Sequence, residues 1–410
     1  MATSTSFPKN KMNVLLLENI NKAAVKEFNE AGYKNVEVVS KALSEKELAA
    51  IIGDIHVLGI RSKTNITQKV IDNAQKLLSI GCFCIGTNQV DMKAATKAGI
   101  AVFNSPYSNT RSVAELVIGN AIMLIRRIPE KSNAAHKGGW LKDHTGCYEM
   151  RGKTLGIIGY GHIGSQVSVL AESMGMKVAY YDIVPKLPLG NAIPVKSLAE
   201  LLKVADVVTL HVPGGKGTEN IISKARLKQM KKGSYLINYS RGSVVEIEAL
   251  SEAIESNHIA GAAIDVFPEE PESKTDKFIS PLQGFKNVIL TPHIGGSTEE
   301  AQVNIGNDVA SKLIHFVDSG ATVGSHSVPE LSLPVQQNTH RLLHIHHNVP
   351  GVLSEINGML SKMNVNIAGQ YLKTNDLIGY VVLDIEKKGS EKLLSELKQV
   401  KNTIKTRLLY

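Results

Sequence analysis

The chain has 410 residues, 43% of them hydrophobic and 20% charged, so it is long enough for two or three domains with complete cores. Its net charge of +8 is spread along the sequence and only 5% of the residues are aromatic, so we expect an anionic small-molecule partner rather than nucleic acid. The polar segment Met1–Met12, the lack of a membrane-spanning apolar stretch, and the odd number of cysteines (Cys82, Cys84 and Cys147) predict a reduced, cytoplasmic protein without a metal site.

The N-terminal part of the chain alternates between strand and helix patterns. Short apolar runs typical of strands are separated by segments in which apolar residues recur at helical spacing, such as Ser44–Ile52 and Ile66–Ala74. The predicted strands are Asn13–Leu17, Val36–Val39, Val57–Ile60, Leu77–Gly81 and Ile100–Phe103. Cys82 and Cys84 directly follow the fourth strand and are interpreted as buried, with a reactive thiol as the alternative. The alternation predicts an α/β domain.

A second α/β block begins with a long predicted helix, Ser112–Arg127. Six apolar runs of strand type follow, separated by segments that can hold crossover helices. The predicted strands are Leu155–Ile158, Lys177–Tyr181, Asp206–His211, Ser234–Asn238, Gly261–Val266 and Asn287–Leu290. Six strands joined in this way predict a doubly wound parallel sheet of the Rossmann type.

A glycine-rich turn, Gly-Tyr-Gly-His-Ile-Gly, lies between the first of these strands and a helix-like stretch. In this setting Gly159 permits a tight turn, Gly161 lets a pyrophosphate approach the backbone, and Gly164 lets the helix pack on the strand. The second strand then ends in Asp182, at the spacing expected of an acid that binds the adenosine ribose. Three glycines alone would fit a packing turn equally well, but the flanking strand, helix and acid favour a dinucleotide.

The same acid distinguishes between two cofactors. A 2′-phosphate beside Asp182 would meet a repulsion of up to about 4 kcal/mol at ~4 Å and an effective dielectric constant of ~20. No arginine follows immediately to bind such a phosphate, and Lys186 is the nearest cation. The expected cofactor is therefore NAD rather than NADP.

The pattern changes again in the C-terminal part. A helix-like segment, Glu299–Asp318, precedes Ala321–Asn338, whose glycine, prolines, serines and glutamines show little periodicity and make it the best linker candidate. The elements that follow are strand Arg341–His346, helix Gly351–Met363, strands Val365–Leu372 and Ile378–Ile385, helix Glu391–Val400 and strand Thr403–Leu409. This βαββαβ order predicts a small ferredoxin-like module.

Several motifs together resemble one family. They are Gly59-Ile60-Arg61-Ser62, Asn109 to Glu115, Gly156 to Gly164, Ser240-Arg241-Gly242, Ala263 to Phe267, Glu270-Pro271 and Thr291 to Gly296. From about Lys11 to Tyr410 the chain resembles the D-3-phosphoglycerate dehydrogenases, a branch of the D-2-hydroxyacid dehydrogenases, in the short form with a C-terminal ACT domain. The resemblance implies a Rossmann-type domain inserted into a flavodoxin-like α/β substrate domain. The implied boundaries are 1–108 for the first substrate segment, 109–296 for the NAD-binding domain, 297–337 for the return and linker, and 338–410 for the ACT domain.

Three residues form the expected catalytic set. Arg241 follows a predicted strand at the carboxyl edge of the sheet, where parallel sheets bind ligands, and its guanidinium suits a carboxylate. His293 follows another strand at this edge and could take the C2 hydroxyl proton as hydride leaves for the nicotinamide, while Glu270 would hold the other ring nitrogen. Each residue alone would fit a surface turn or a solvated loop, but the joint match to the family favours catalysis.

The resemblance also implies further contacts with NAD. They are His162 and Ile163 at the pyrophosphate, Tyr239, Ser240 and Arg241 beside the nicotinamide, Asp265 at its carboxamide, and His293, Ile294, Gly295 and Gly296 in a loop over the cofactor. Tyr239 replaces the small residue that is usual before Ser-Arg-Gly, and its bulk could alter the fit near the cofactor.

The substrate phosphate has a candidate site near the N-terminus. Arg61, Ser62 and Lys63 follow a predicted strand, and two cations with a hydroxyl could bind a phosphate; a surface salt-bridge cluster is the alternative. Lys63 is often arginine in the family, so the charge is kept while the planar fork is lost. The resemblance adds Asn109 at the substrate carboxylate or C2 oxygen, and Lys142 as a cation from a neighbouring subunit.

The C-terminal module suggests regulation. In the ACT domains of this family the effector is L-serine, and His346, Asn348 and Asn366 match its ligand positions. The alternative is that His344, His346 and His347 form a metal cluster or are merely polar strand residues, but no carboxylate or cysteine accompanies them.

The resemblance therefore implies NAD-linked oxidation of 3-phosphoglycerate to 3-phosphohydroxypyruvate, the first step toward L-serine, with L-serine as feedback effector. The alternatives are a dehydrogenase for another 2-hydroxy acid and a non-catalytic, NAD-sensing corepressor. Paired ACT modules and the apolar face of the helix Ser112–Arg127 would supply two interfaces and a closed homotetramer. Neither nucleic acid nor a membrane is expected as a partner.

Overall fold

The computed structural model describes residues 6–271, 276–335, 338–387 and 390–409. These residues form two compact units: one contains the chain up to Ser108 together with the part from Gln302 onward, and the other is Asn109–Ala301. In the described part of the chain, no helix is both long and apolar enough to cross a membrane.

The first unit begins with an α/β module. Its elements are β1 (Asn13–Leu16), α1 (Lys22–Glu30), β2 (Asn35–Val38), α2 (Glu45–Ile51), β3 (Val57–Ile60), α3 (Gln68–Asp72), β4 (Ser79–Cys82), α4 (Met92–Lys97) and β5 (Ala101–Asn104). All five strands are parallel, in the order β2-β1-β3-β4-β5, which is the flavodoxin-like order. Each residue of β3, β4 and β5 is buried, as expected of parallel strands that are covered on both faces.

The second unit contains a larger parallel sheet. Its elements are α5 (Thr110–Ile125), α6 (Ile128–His136), β6 (Thr154–Ile158), α7 (His162–Ser173), β7 (Lys177–Tyr181), β8 (Ala192–Pro194), α8 (Leu198–Val204), β9 (Val207–Leu210), α9 (Lys224–Leu227), β10 (Ser234–Asn238), α10 (Ile247–Glu255), β11 (Ile259–Ile264) and β12 (Val288–Leu290). The strand order is β12-β11-β10-β9-β6-β7-β8, so the order reverses between β6 and β9. This is the doubly wound Rossmann arrangement, and its ligand crevice is expected at that reversal.

Two elements of this unit differ from the sequence-based prediction. The predicted helix over Ser112–Arg127 ends at Ile125 because Arg127 is left-handed, with φ 54°, and a separate helix, α6, begins with a proline in its first turn. The strand β8 has only three residues and ends in Pro194, so it contains no apolar run that would predict a strand.

The C-terminal part returns to the first unit. Its elements are α11 (Glu299–Ser319), β13 (Thr339–His347), α12 (Val352–Lys362), β14 (Ile367–Thr374), β15 (Ile378–Glu386), α13 (Ser390–Leu397) and β16 (Thr403–Leu409). The sheet order is β14-β15-β13-β16 and the pairs are all antiparallel, which is the ferredoxin-like βαββαβ module. The predicted fold class, with a Rossmann-type sheet, a flavodoxin-like sheet and an ACT module, is confirmed.

The segment between α11 and β13 is hydrogen-bonded to the first sheet. Its described residues form no helix or strand, but the hydroxyl of Ser327 donates to the carbonyl of Ile100 at 2.6 Å and accepts from the amide of Val102 at 2.9 Å. Beyond it, the ACT sheet packs on α11: the hydroxyl of Tyr380 donates to the carbonyl of Gly320 at 2.6 Å. Residues of the first sheet, α11 and the ACT sheet therefore share one hydrophobic core.

Candidate active site

The glycine turn after β6 has the shape that a dinucleotide requires. Gly159 is left-handed, with φ +90°, and a Cβ there would lie 2.4 Å from the carbonyl oxygen of His211. A Cβ at Gly164 would lie 2.2 Å from the carbonyl oxygen of Gly159, so helix α7 packs directly on the turn. A Cβ at Gly161 would meet nothing within 4 Å, which leaves open space above the backbone for a pyrophosphate. His162 and Ile163 form the first turn of α7, at its positive end.

Asp182 lies at the end of the neighbouring strand β7 and is fixed by the same turn. Its Oδ2 accepts from the amide of Tyr160 at 2.8 Å, and its Oδ1 accepts from the amide of Val184 at 2.9 Å. Each carboxylate oxygen has a second lone pair, so both bonds are compatible with ribose hydroxyl donors. The glycine turn and this acid therefore fit an adenine dinucleotide without a 2′-phosphate.

His293 and Glu270 form a hydrogen-bonded pair. The ring Nδ1 lies 2.9 Å from Oε2 of Glu270, and the amide of Phe267 donates to Oε1 at 3.1 Å. The bond from Glu270 raises the pKa of the His293 ring, against the opposing effect of burial. Burial would raise the pKa of the Glu270 carboxyl, but its hydrogen bonds with His293 and Phe267 outweigh burial and lower that pKa. The arrangement directs Nε2 away from Glu270, as a proton-transferring histidine requires.

Arg241 lies close enough to influence this pair. Its charge lowers the pKa of both His293 and Glu270. One guanidinium nitrogen, Nη1, donates to the carbonyl of Ser240 at 2.6 Å, while the side chain remains exposed. The three residues come from the loops after β10, β11 and β12, which are adjacent strands of one sheet, so topology explains how distant positions in the sequence meet.

Asp265 holds the loop that carries the histidine. It is 1% exposed, and its Oδ1 accepts from the amide of Ile294 at 2.8 Å and from the hydroxyl of Thr291 at 2.6 Å. Its Oδ2 accepts from the amide of Gly295 at 2.7 Å. His293 itself is left-handed, with φ 53°, a conformation that non-glycine residues rarely adopt. Asp265 thus positions the loop, and its contact with the nicotinamide carboxamide, which the resemblance implies, stays a prediction.

Tyr239 fills space beneath this loop. The residue is 6% exposed, and a Cβ at Gly295 would lie 3.0 Å from its ring. Its hydroxyl accepts from the side-chain amide of Asn120 at 2.6 Å and lies 3.5 Å from the hydroxyl of Thr291. Burial raises the pKa of Tyr239 to about 12. The bulky residue is therefore accommodated by a polar partner on α5, and neither Asn120 nor Thr291 carried a sequence signal for this role.

Asn109 approaches the other end of the same loop. A Cβ at Gly296 would lie 2.0 Å from its Nδ2, so a larger residue there would force Asn109 to shift. Asn109 is 7% exposed, and its Oδ1 has no hydrogen-bond partner among the described residues. Ser240 is also buried, and its hydroxyl donates to the side chain of Asn238 at 2.9 Å. The buried acceptor on Asn109 is available to a donor on a ligand.

The predicted phosphate loop follows β3 in the first unit. Arg61 is half-buried, while Ser62 and Lys63 are exposed. The loop is held by Glu18, whose carboxylate accepts from the backbone amides of Arg61 at 3.1 Å, Lys63 at 3.0 Å and Thr64 at 2.9 Å. Sequence reasoning missed Glu18, although an acid just beyond an apolar strand was a usable signal. Because these amides already donate to Glu18, a phosphate would have to be bound by the side chains of the loop.

Lys142 lies in an exposed segment after α6. Its neighbour Trp140 is 86% exposed, and the side chain of Lys131 donates to the carbonyls of Leu141 and Asp143. Lys142 therefore lies on the exposed surface of the second unit.

The predicted effector residues lie at different places in the ACT module. His346 is 3% exposed and faces Gly379, while Asn348 and Asn366 are exposed. Asn348 donates through its side chain to the carbonyl of Asn375 at 2.8 Å. Of the described residues, no group of His, Cys, Asp or Glu side chains is arranged to hold a metal ion. His344 instead lies 2.9 Å from the hydroxyl of Thr403.

Comparison with known proteins gives a consistent picture. The family model described as "D-isomer specific 2-hydroxyacid dehydrogenase, NAD binding domain" matches residues 118–295, and an "AHAS small subunit-like ACT domain" matches residues 342–405. A relative from Haemophilus influenzae named D-3-phosphoglycerate dehydrogenase is 52% identical over 410 residues and covers 100% of both chains. A relative of the same name from Escherichia coli K12 is 53% identical over 407 residues and covers 99% of each. The solved structure of D-lactate dehydrogenase from Aquifex aeolicus, complexed with NAD and lactic acid, is 26% identical with a TM-score of 0.65, covering 78% of this chain and 100% of that one.

Proposed function

Since this chain belongs to the D-3-phosphoglycerate dehydrogenases, NAD-binding members of the D-isomer specific 2-hydroxyacid dehydrogenase family, we propose that it oxidises 3-phosphoglycerate at C2 to 3-phosphohydroxypyruvate, the first step of L-serine biosynthesis. The observation that carries this proposal is the His293–Glu270 pair, with Arg241 close enough to shift the pKa of both. A non-catalytic NAD sensor would not need a paired histidine at this edge of the sheet.

Different residues of the chain have different roles in the proposed reaction. Arg241 binds the C1 carboxylate through its guanidinium fork, which fixes C2 and its hydroxyl. Nε2 of His293 takes the hydroxyl proton as the C2 oxygen becomes a carbonyl, and Glu270 stabilises the resulting imidazolium through Nδ1. The glycine turn and Asp182 would hold NAD, which would supply the hydride acceptor for C2. In the reverse direction the protonated ring returns the proton.

The phosphate group distinguishes this substrate from simpler 2-hydroxy acids. We assign it to Arg61, Ser62 and Lys63, because Glu18 fixes their loop from below and leaves two cationic side chains and a hydroxyl at the surface. Asn109 is assigned to the carboxylate or C2 oxygen through its side-chain amide. Lys142 would supply a further cation from a neighbouring subunit, which its exposed position permits.

The reaction is tested by NADH absorbance with purified protein, NAD and 3-phosphoglycerate, and in reverse with 3-phosphohydroxypyruvate and NADH. Activity in neither direction would refute the proposal. D-lactate is the matched unphosphorylated substrate, because the Aquifex aeolicus protein was solved with lactic acid. Lys63→Ala should raise the KM for 3-phosphoglycerate and leave that for D-lactate unchanged; equal effects on both would favour a dehydrogenase for another 2-hydroxy acid.

We assign regulation by L-serine to the ACT module, with His346, Asn348 and Asn366 as ligands. The register of the sheet separates the two asparagines within one chain. Ile367 and His340 both pair with Ile385, so Asn366, just before β14, lies level with the start of β13. Asn348 lies beyond the far end of β13, roughly 25 Å away at ~3.3 Å per residue. A single chain therefore cannot close this site around a serine.

A second copy would close it. The strand β14 is an outer strand of the ACT sheet, so two copies can pair through this edge. Antiparallel pairing about a twofold axis would bring Asn366 of one copy toward Asn348 of the other. With a second interface on α5, whose Leu116 and Ile122 are partly buried, such pairing supports a homotetramer. Free thiols at the three cysteines support a reducing, cytoplasmic location.

A mixing experiment tests the shared site. Asn348→Ala and Asn366→Ala proteins should each lose L-serine inhibition, whereas hybrids formed from both should recover part of it. Recovery is expected because one junction in each mixed pair keeps both native asparagines. If mixing restores no inhibition, the two asparagines do not meet across chains. Sedimentation analysis of each protein provides the control for assembly.

A further inference from the structure

A basic cleft lies in the first unit, apart from all the residues assigned above. Its volume is about 970 Å³, and it opens between the N-terminal residues near Lys9, the α/β module near Lys76, and strand β16 with helix α13 of the ACT module. This volume is within the range of about 300–1,000 Å³ that small-molecule sites occupy. The cleft is thus large enough for a metabolite and touches both modules of the unit.

Positive charge dominates the lining. Six cationic side chains contribute: Lys9, Lys11, Lys76, Lys398, Lys405 and Arg407. The one acid among the lining residues, Asp318, is engaged by Lys9 in an ion pair of 2.7 Å. Lys76 is paired outside the lining, with Asp54 at 2.6 Å. The remaining four cations have no carboxylate partner within salt-bridge distance in the described part of the chain.

The two cations of β16 are hydrogen-bonded to neutral groups, although the charge of Asp318 also acts on Arg407 and its guanidinium lies 5.4 Å from the ring centre of Phe316. Nζ of Lys405 donates to the carbonyl of Leu77 at 2.6 Å, and Nη2 of Arg407 donates to the carbonyl of Val317 at 2.6 Å. Both acceptors are neutral. The Nη1 atom of Arg407 is buried and has no hydrogen-bond partner among the described residues. Burial, reinforced by the charge of Arg407, lowers the pKa of Lys405 to about 8.

We propose that this cleft is a second ligand site, which binds a small polyanion bearing phosphate or carboxylate groups. An anionic oxygen would satisfy the orphan Nη1 of Arg407 and neutralise the adjacent charge on Lys405. Lys11 and Lys398 are exposed at the mouth and would contact the outer part of the ligand. Because β16 belongs to the ACT module and Lys76, which also lines the cleft, belongs to the α/β module, a bound polyanion would contact both.

Pyrophosphate and citrate are the probes, and isothermal titration calorimetry at constant ionic strength is the measurement. Saturating NADH occupies the dinucleotide site, and an Arg61→Ala/Lys63→Ala background removes the proposed substrate phosphate site. In this background, binding of one or both probes should persist. Lys11→Ala/Lys398→Ala should then raise the Kd about tenfold, the effect expected of two exposed charge contacts.

The matched control is Lys203→Ala/Lys232→Ala, which removes the same charge from exposed positions outside the cleft. It should bind like the parent protein. Introduced into the otherwise wild-type protein, Lys11→Ala/Lys398→Ala should leave the dehydrogenase activity unchanged, which verifies that the cleft substitutions do not prevent folding, and Lys398→Glu in the Arg61→Ala/Lys63→Ala background should also weaken binding. Preference for pyrophosphate over citrate would assign the site to phosphate groups, and the reverse to carboxylates. Absence of binding in the Arg61→Ala/Lys63→Ala background, or equal weakening by the control pair, would overturn the proposal.

Discussion

Glu18→Gln should weaken binding of the phosphorylated substrate while leaving NAD binding intact. Glu18 is 8% exposed, and its carboxylate accepts three backbone amides of the loop that carries Arg61, Ser62 and Lys63. Glutamine has nearly the same shape but only one acceptor oxygen. The substitution therefore disturbs the support of the phosphate loop without removing any residue that we assign to the substrate.

The magnitude follows from the bonds that change. The glutamine oxygen can replace Oε1, which accepts from Arg61 and Thr64, but its amide group would then face the amide donor of Lys63. One bond to a charged acceptor, worth ~1.5–3 kcal/mol, is lost, and two others become neutral bonds of ~0.5–1.5 kcal/mol each. A total of about 3.5–6 kcal/mol is expected. If half of it appears as displacement of the loop, KM for 3-phosphoglycerate rises roughly twenty- to 160-fold.

Steady-state kinetics provide the assay. We expect kcat and the KM for NAD to stay within about twofold, since the dinucleotide residues belong to the other compact unit. Glu37→Gln is the matched control, because Glu37 is exposed on β2 in the same module. An unchanged KM for 3-phosphoglycerate in Glu18→Gln, or an equal rise in KM for D-lactate, would refute the reasoning.

Three further predictions concern the second unit. Glu270→Gln should lower the pKa of His293. The rate of reduction, which needs the protonated ring, should then fall at neutral and alkaline pH. The rate of oxidation should begin to rise at a lower pH than in the wild type. Gly296→Ala should cost about 1–3 kcal/mol of stability by thermal unfolding and reduce kcat, because its Cβ would lie 2.0 Å from Nδ2 of Asn109. Asp182→Ala should reduce kcat/KM for NAD and raise the ratio of NADP to NAD activity, since it removes a repulsion of up to about 4 kcal/mol.

Neighbouring residues offer controls for these variants. Glu269→Gln changes an exposed acid beside Glu270 and should leave both pH–rate profiles unchanged. Gly217→Ala should be tolerated, because a Cβ there would meet nothing within 4 Å. Identical pH–rate profiles for wild type and Glu270→Gln would contradict the assigned role of the carboxylate, and full activity in Gly296→Ala would mean that Asn109 can move aside freely.

Much of the architecture could be predicted because its signals are local. The strand β3 has the predicted bounds, Val57–Ile60, and the glycine turn joins β6 to α7 as the spacing required. The strand β8 could not be predicted, because three residues ending in Pro194 give no pattern of alternation. Its pairing with β7 instead places it at the edge of an existing sheet.

The candidate site also has parts that the sequence predicts and parts that it does not. Glycine and acid positions follow from chain spacing, but Tyr239 and Asn120 are 119 residues apart and meet only because α5 packs across β10. No property of either residue alone indicates the pair. The close approach of Gly296 and Asn109 is likewise a product of folding, since it joins the two ends of the second unit.

Three carboxylates nevertheless share one arrangement. Each lies within two residues of the end of a parallel strand and accepts a backbone amide from the loop after an adjacent strand: Glu18 after β1 holds the loop after β3, Asp182 after β7 holds the turn after β6, and Asp265 after β11 holds the loop after β12. Loops at the carboxyl edge expose amides that the sheet cannot pair, and a carboxylate satisfies several at once. When an acid ends an apolar strand in such a sheet, the first role to consider is therefore positioning a ligand-binding loop. Direct contact with the ligand is the second. Among the described residues, each oxygen of Asp182 accepts one amide, so both can also accept from a ligand. In Asp265, Oδ1 accepts two donors, so this role is left to Oδ2, which accepts one.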